Sequence, residues 1–150
     1  MALARMRIAN ISSNVQSDER LLPSLKTLSF TLSWFADKSL SSLLSHCPSL
    51  ENLSIIGCGF ENSKCHVSSS NLKSLEVEYC ERLKVLQVDD EAKNLESFTF
   101  DHPPGQDPNC EKVILNSTFN LKNICIYVDE LREFSFNGHH RTLKPKSSSI

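Results

Sequence analysis

The cysteines and histidines are the side chains in this sequence most able to bind a metal ion or attack a substrate. The densest group is Cys58, Cys65 and His66, with the spacing C-x6-C-H. Tetrahedral zinc sites draw on close pairs such as C-x-x-C or H-x-x-x-H, and no second pair lies near this group. A Cys–His nucleophile needs contact between the two side chains, which sequence neighbours such as Cys65 and His66 rarely make. We therefore expect no metal site and no catalytic residue here.

No other motif for catalysis or cofactor binding is present in the sequence. There is no G-x-x-x-x-G-K-[ST], no G-x-G-x-x-G and no H-E-x-x-H, and the chain has only 4 glycines with which to cradle a phosphate. His139 and His140 begin a basic segment that we expect to be an exposed end. The prediction is a protein that is not an enzyme and binds no cofactor.

Length and charge place the chain in a broad class. Its 150 residues suffice for one domain with a core, with 39% hydrophobic residues and a net charge of −2. This balance gives no reason for binding nucleic acid or an anionic membrane. No apolar run approaches the roughly 18 residues of a spanning helix, and the N-terminus lacks the apolar core of a secretory signal. We therefore expect a cytoplasmic or nuclear protein whose 6 cysteines stay free.

One phrase, Leu-x-x-Leu-x-apolar, recurs along the chain. Its copies are Leu25–Phe30, Leu50–Ile55, Leu72–Val77, Leu83–Val88, Leu95–Phe100, Leu121–Ile126 and Leu131–Phe136, with a weaker copy at Cys110–Leu115. The second and third apolar residues of each copy are two apart, so they point to one face of a strand. A unit this small cannot bury its own apolar face, whereas stacked units form a continuous core. The repeats predict a solenoid.

The spacing of the copies assigns each strand to a side of the coil. Successive copies start 25, 22, 11, 12, 15, 11 and 10 residues apart. Parallel neighbours in one sheet need a crossover of about a dozen residues or more, so the short steps must lead to the opposite side. We predict an α/β solenoid with a main parallel sheet of strands near 25–30, 50–55, 72–77, 95–100 and 121–126. The convex side would carry a helix at 38–46 and then strands at 83–88, 111–115 and 131–136.

Several local expectations follow from this arrangement. Residues 1–20 would be a partly ordered N-terminal segment, 21–137 the repeat domain and 138–150 a disordered basic tail. Strand 25–30 would be an exposed edge. Trp34 and Phe35 would pack in the core beneath the helix, and the polar stretch 59–70 would be a loop.

The repeats resemble a known family. The stretch Cys47-Pro48-x-Leu50-x-x-Leu53-x-Ile55-x-x-Cys58 is similar to the cysteine-containing leucine-rich repeat (LRR), and Cys80 closes the next copy in the same way. Across residues 21–136, HCPSLENLSI together with the paired phrases NLKSLEV and LKVLQV resembles the leucine-rich region of plant F-box/LRR-repeat proteins. The later turns are degenerate, since no Cys or Asn closes the repeat at its end there. The residues concerned are Ser33, Glu91, Pro103 and Asn116.

The resemblance implies a role in protein recognition. In that family an F-box binds the Skp adaptor of an SCF-type ubiquitin ligase, and the leucine-rich region holds the protein to be ubiquitinated. Only about 20 residues precede the repeats here, and they do not resemble an F-box, which takes roughly 40–50. The expectation is a truncated receptor half that does not bind the Skp adaptor alone. The open alternative is a non-ligase LRR scaffold or a remnant of an immune-receptor repeat region.

A protein partner of unknown identity would bind the outward face of the main sheet, because solenoids use this face for binding. The predicted contact residues are Asn52, Ile56, Glu76, Glu78, Thr99, Asp101, Asn123 and Tyr127. This face is small, polar and slightly acidic, with Ile56 and Tyr127 as its only bulky side chains. A sheet face that is simply solvated is the alternative.

Overall fold

A computed structural model of the chain describes residues 5–9, 24–89, 91–102, 110–116, 118–128, 131–137 and 139–142. In chain order the elements are β1 (Arg5–Ala9), β2 (Thr27–Thr31), β3 (Trp34–Phe35), α1 (Ser39–Ser45), β4 (Asn52–Ile56), β5 (Gly59–Phe60), β6 (Lys64–Val67), β7 (Ser74–Glu78), β8 (Val85–Val88), β9 (Ser97–His102), β10 (Lys112–Leu115), β11 (Asn123–Val128), β12 (Glu133–Phe136) and β13 (His139–Thr142). They form the predicted solenoid of stacked, mostly parallel strands.

The main sheet contains the five predicted parallel strands and, beside the first of them, β1; the order is β1-β2-β4-β7-β9-β11. Its register aligns Leu28, Leu53, Leu75 and Phe98 from strand to strand. All four side chains are at most 2% exposed. Residues at alternate positions of a strand share one face, so this column is the continuous core that the repeated phrase predicts.

A second sheet forms the convex side, in the order β6-β8-β10-β12-β13. The predicted strands at 83–88, 111–115 and 131–136 appear here as β8, β10 and β12, and the predicted helix at 38–46 is α1, which contacts β6. The expectation of a loop at 59–70 is wrong, because this stretch contains β5 and β6. Cys65 and Val67 of β6 are buried, while Lys64 and His66, which alternate with them, are exposed. The strand was not predicted because it lacks the leucine phrase and its two buried residues alternate with polar ones.

The residues that close the first turns make the same local hydrogen bond. Ser33 Oγ donates to the Thr31 carbonyl oxygen at 3.0 Å, and Cys58 Sγ to that of Ile56 at 3.5 Å. Cys80 Sγ donates to the Glu78 oxygen at 3.6 Å. A buried polar group needs such a partner. Ser33 is neither Cys nor Asn, but its hydroxyl makes the same hydrogen bond at the end of the repeat as the thiols do.

A ladder of asparagine side chains links successive turns. Three asparagines that each precede the first leucine of a copy donate Nδ2–H to a carbonyl of the preceding turn at 2.8 Å: Asn71 to Pro48, Asn94 to Ser70 and Asn120 to Lys93. Each bond satisfies a backbone acceptor outside the strands. The phrase Asn-Leu therefore fixes the distance between turns as well as the start of the strand.

Two aromatic residues before α1 differ in their surroundings. Phe35 is buried and packs edge-on to Phe30 and stacked on Phe60, with ring centroids 4.9 and 5.4 Å apart. Trp34 is 42% exposed, so its predicted place in the core is wrong. Adjacent strand residues point to opposite sides, and Trp34 lies instead over Gly59, where a Cβ atom would overlap the indole ring.

The two ends of the solenoid are also defined by strands. β1, from the segment 1–20, pairs in parallel with β2, so the predicted exposed edge at 25–30 is covered. Within the predicted disordered tail, 138–150, the structure has a strand, β13, which pairs antiparallel with β12. That pairing is possible because β12 would otherwise end the convex sheet. Residues 143–150 lie outside the described residues.

The last rung of the main sheet is less covered than the others. Ile124 continues the column of Phe98 but is 41% exposed, and Phe119, which precedes it in the chain, is 75% exposed.

A search of the described segments for a helix with the length and hydropathy of a membrane span finds none.

Candidate partner-binding face

The outward residues of the main sheet fall into three rows that cross the strands. The first is Thr27, Asn52, Ser74, Ser97 and Asn123; the second is Ser29, Ser54, Glu76, Thr99 and Cys125; the third is Thr31, Ile56, Glu78, Asp101 and Tyr127. The eight residues predicted to bind a partner all lie in these rows. Parallel pairing in register brings them together, because equivalent positions of each copy become neighbours about 4.8 Å apart.

The rows differ in size and exposure. Tyr127 is 63% exposed and projects at one end of the third row. Asn52 and Asn123 are exposed in the first row, where the Asn52 amide donates to Thr27 Oγ1 at 3.3 Å. The remaining five predicted residues are half-buried: Ile56, Glu76, Glu78, Thr99 and Asp101. Short side chains over most of the face leave room for another chain to approach the sheet.

Charges alternate in sign along the edge of the face where the strands begin. The residue after the first leucine of each main-sheet copy is, in order, Lys26, Glu51, Lys73, Glu96 and Lys122. Glu51 accepts Lys26 Nζ at 3.2 Å and lies 3.8 Å from Lys73 Nζ, and Lys122 Nζ lies 3.7 Å from Glu96. The hydrogen bond and charge of Lys26, with the charge of Lys73, lower the pKa of Glu51. Opposite charges on neighbouring strands stabilise the register.

Like charges meet where the same strands end. Glu78 and Asp101 are direct partners on β7 and β9, and Glu76 lies two residues before Glu78 on the same face. Burial, followed by the charges of Glu76 and Asp101, raises the pKa of Glu78. The ion pairs found among the described residues involve other carboxylates. Like charges directly opposite each other destabilise a sheet, so this end of the face carries an uncompensated negative potential.

Two exposed apolar residues beside this face were not predicted. Leu32 and Tyr79 follow the last residues of β2 and β7 and are 67% and 51% exposed. Both have left-handed backbone conformations, with φ of 50° and 55°. Their N–H groups extend the strand ladders, Leu32 to the Ile56 oxygen at 3.0 Å and Tyr79 to the Asp101 oxygen at 2.9 Å. The charge of Asp101 raises the pKa of the Tyr79 hydroxyl. The left-handed turn conformation that projects them outward cannot be predicted from the spacing of the apolar residues in the sequence.

We expect Glu78→Gln to stabilise the folded chain at neutral pH. A carboxyl whose pKa is raised on folding carries a penalty that is absent below its unfolded pKa and complete above its folded pKa. The variant should therefore melt about 1–2 °C higher than the wild type at pH 7, and the gain should vanish at about pH 3.5, where both states are protonated. Thermal unfolding followed by circular dichroism at the two pH values tests this. An equal gain at both would contradict it.

Cys65 and His66, which were considered for metal binding, lie on opposite faces of one strand. Cys65 is buried in β6, and His66 on its outer face lies 3.3 Å from an Asp89 carboxylate oxygen. Over the part of the chain that the structure describes, no group of three or more His, Cys, Asp or Glu side chains could hold a metal ion. The cysteines there are all free thiols, and Cys125 alone among them is exposed.

A cavity of about 240 Å³ lies on the convex side, between α1 and β6. Its lining mixes Phe35 and Phe60 with charges of both signs, including Asp37, Glu61 and Lys64. The Glu61 carboxylate already accepts the Asp37 backbone N–H at 2.7 Å. Polar groups that bind one another offer little to a ligand, so the sheet face is the stronger candidate.

Comparison with known families gives one match. A family model described as "FBD-associated F-box protein At5g56370, LRR repeats" matches residues 1–142. Neither the curated proteins nor the solved structures contain a significant match.

Proposed function

Because this chain belongs to the LRR-repeat family of FBD-associated F-box proteins, we propose that its main sheet face holds a protein destined for ubiquitination by an SCF-type ligase. The observation that carries the proposal is the register of the sheet, which aligns all eight predicted contact residues on one open face. Solenoids bind through such surfaces. The family supports a protein-interaction role, and the chain's action as a substrate receptor is the further step that we propose.

The ligase version is preferred to the other class of scaffold for one reason. The family description names an F-box protein, which favours a ubiquitin-ligase context over a remnant of an immune receptor. In this proposal the chain supplies the substrate-holding half, so we expect the Skp adaptor not to bind it alone. The chain's free thiols fit action in the cytoplasm or nucleus, where thiols stay reduced.

A photo-crosslinking residue placed at Tyr127 tests the sheet face directly, with Lys84 on the convex side as the matched control position. We expect one protein to crosslink from position 127 and not from position 84. The double variant Ile56→Ala/Tyr127→Ala, which removes both bulky side chains from the face, should weaken its binding about tenfold or more. Lys84→Ala should not.

Ubiquitination gives the second readout. With an F-box fused upstream and the ligase reconstituted, the crosslinked protein should be ubiquitinated, and the double variant should lose this activity. Equal crosslinking from both positions would contradict the assignment of the face. Crosslinking from position 127 without ubiquitination would leave a scaffold and contradict the ligase role.

A further inference from the structure

We infer that the end of the sheet face where the strands finish docks an extended segment of a partner protein carrying a Lys or Arg between two apolar side chains. The docking row consists of Ile56, Glu78, Asp101 and Tyr127, neighbours on β4, β7, β9 and β11. The inference rests on the proposed function, because it names the chemistry of the partner at the same face.

The order of side chains in the docking row defines the complementary sequence. An aliphatic residue and an exposed aromatic residue flank two adjacent carboxylates. Four neighbouring strands span about 14 Å, which an extended segment crosses in about four or five residues. A basic side chain near the middle of such a segment would meet Glu78 and Asp101, while apolar side chains on either side would meet Ile56 and Tyr127.

The distribution of charge over the face favours a partner with a positively charged side chain at the docking row. Where the strands begin, neighbouring charges alternate in sign and pair with one another. Where they end, Glu78 and Asp101 are adjacent and alike, and Glu76 is close by. None of the outward positions of β2, β4, β7, β9 and β11 is Lys or Arg. A bound cation would relieve repulsion that the sheet itself leaves in place.

The nearest basic residues on the same rows belong to β1. Arg7 is in register with Ser29, and so with the row of Glu76, but the two strands between place their backbones about 14 Å apart. The raised pKa of Glu78 agrees with carboxylates that lack a compensating charge.

Exposed aromatic side chains strengthen the fit. Tyr127 ends the docking row at 63% exposure, and Tyr79 lies beside Asp101 at 51% exposure. Aromatic faces attract Lys and Arg cations, and tyrosines are frequent at the centre of binding interfaces. Metal binding is not an alternative for the carboxylates, since they do not form a metal-holding group among the described residues. The negative charge excludes nucleic acid.

Selection from an mRNA-displayed library of random peptides against the whole chain tests the inference. Selected peptides should contain Lys or Arg flanked by apolar residues and should shift the backbone amide resonances of β7 and β9. The isosteric variant Glu78→Gln/Asp101→Asn should bind these peptides about tenfold more weakly. The control Glu81→Gln/Glu111→Gln, which makes the same change in net charge away from the sheet face, should bind them normally. Exchange of the peptide's Arg or Lys for Gln should reproduce the loss.

The outcomes separate this inference from the proposed function. Peptides that shift the amides of β7 and β9 but lack a basic residue, or bind the isosteric variant equally well, overturn the inference and leave the sheet face as an interaction surface. If no peptide is selected, or if the selected peptides bind elsewhere on the chain, both the inference and the proposed function are contradicted.

Discussion

Replacing Leu75 by alanine should lower the free energy of unfolding by about 3–4 kcal/mol. Leu75 is 1% exposed at the centre of the core column, between Leu53 and Phe98 on the neighbouring strands. Its removal leaves a cavity that rungs above and below hold open, because each side chain of the column is packed by equivalent residues. In a chain of 150 residues, this loss corresponds to a fall in melting temperature of about 6–16 °C.

The same change at the end of the column is the matched control. Ile124 continues the column on β11 but is 41% exposed, so Ile124→Ala removes fewer contacts and leaves a gap open to water. We expect a loss of about 1 kcal/mol or less. Urea unfolding of both variants gives the comparison. Equal losses would mean that the rungs do not share one core, or that β11 is covered in solution.

The sequence predicts the column and the rows for one physical reason. A strand repeats every two residues, so three apolar residues at fixed offsets determine which face is buried, and parallel stacking then carries each offset to the next turn. For this reason Leu53, Leu75 and Phe98 align. For the same reason the sequence alone predicts that Ile56, Glu78 and Asp101 lie in one row.

The elements that the sequence did not reveal lack the leucine phrase or depend on tertiary pairing. β6 contributes only Cys65 and Val67 to the core, and β1 and β13 are placed by the sheet edges that they cover. Tyr79 projects outward because its backbone has a left-handed conformation, which few residues other than glycine adopt. In contrast, the alternating charges that begin at Lys26 lie at a fixed offset in the sequence and could have been found there.

The buried thiols make a second large prediction, that the chain loses stability in mildly alkaline solution. Burial raises the pKa of Cys80 and of Cys110 to about 12, and it raises the pKa of Cys65 as well. An unfolded thiol has a pKa of about 8.5. The stabilising effect of a neutral buried thiol is thus fully present below about pH 8.5 and is lost as pH rises toward the folded pKa.

The size of this effect follows from the linkage between protons and folding. Each such thiol costs about 1.4 kcal/mol of stability per pH unit between the unfolded and folded pKa values. From pH 8 to pH 10, Cys80 and Cys110 together should therefore remove about 4 kcal/mol. Cys80→Ala/Cys110→Ala should lower the loss between the two pH values by that amount, whatever the variant's stability at pH 8.

Urea unfolding at pH 8 and pH 10, with a reductant present, measures the difference. Cys125→Ala is the matched control, because it removes a thiol that is exposed on β11 instead of buried. Lysine and tyrosine titration contributes equally to the wild type and the variants, so the comparison isolates the thiols. If the double variant lost as much stability as the wild type, these sulfur atoms would be ionising in the folded chain. Water would then reach the layer between the two sheets, and the closed core of stacked rungs would be contradicted.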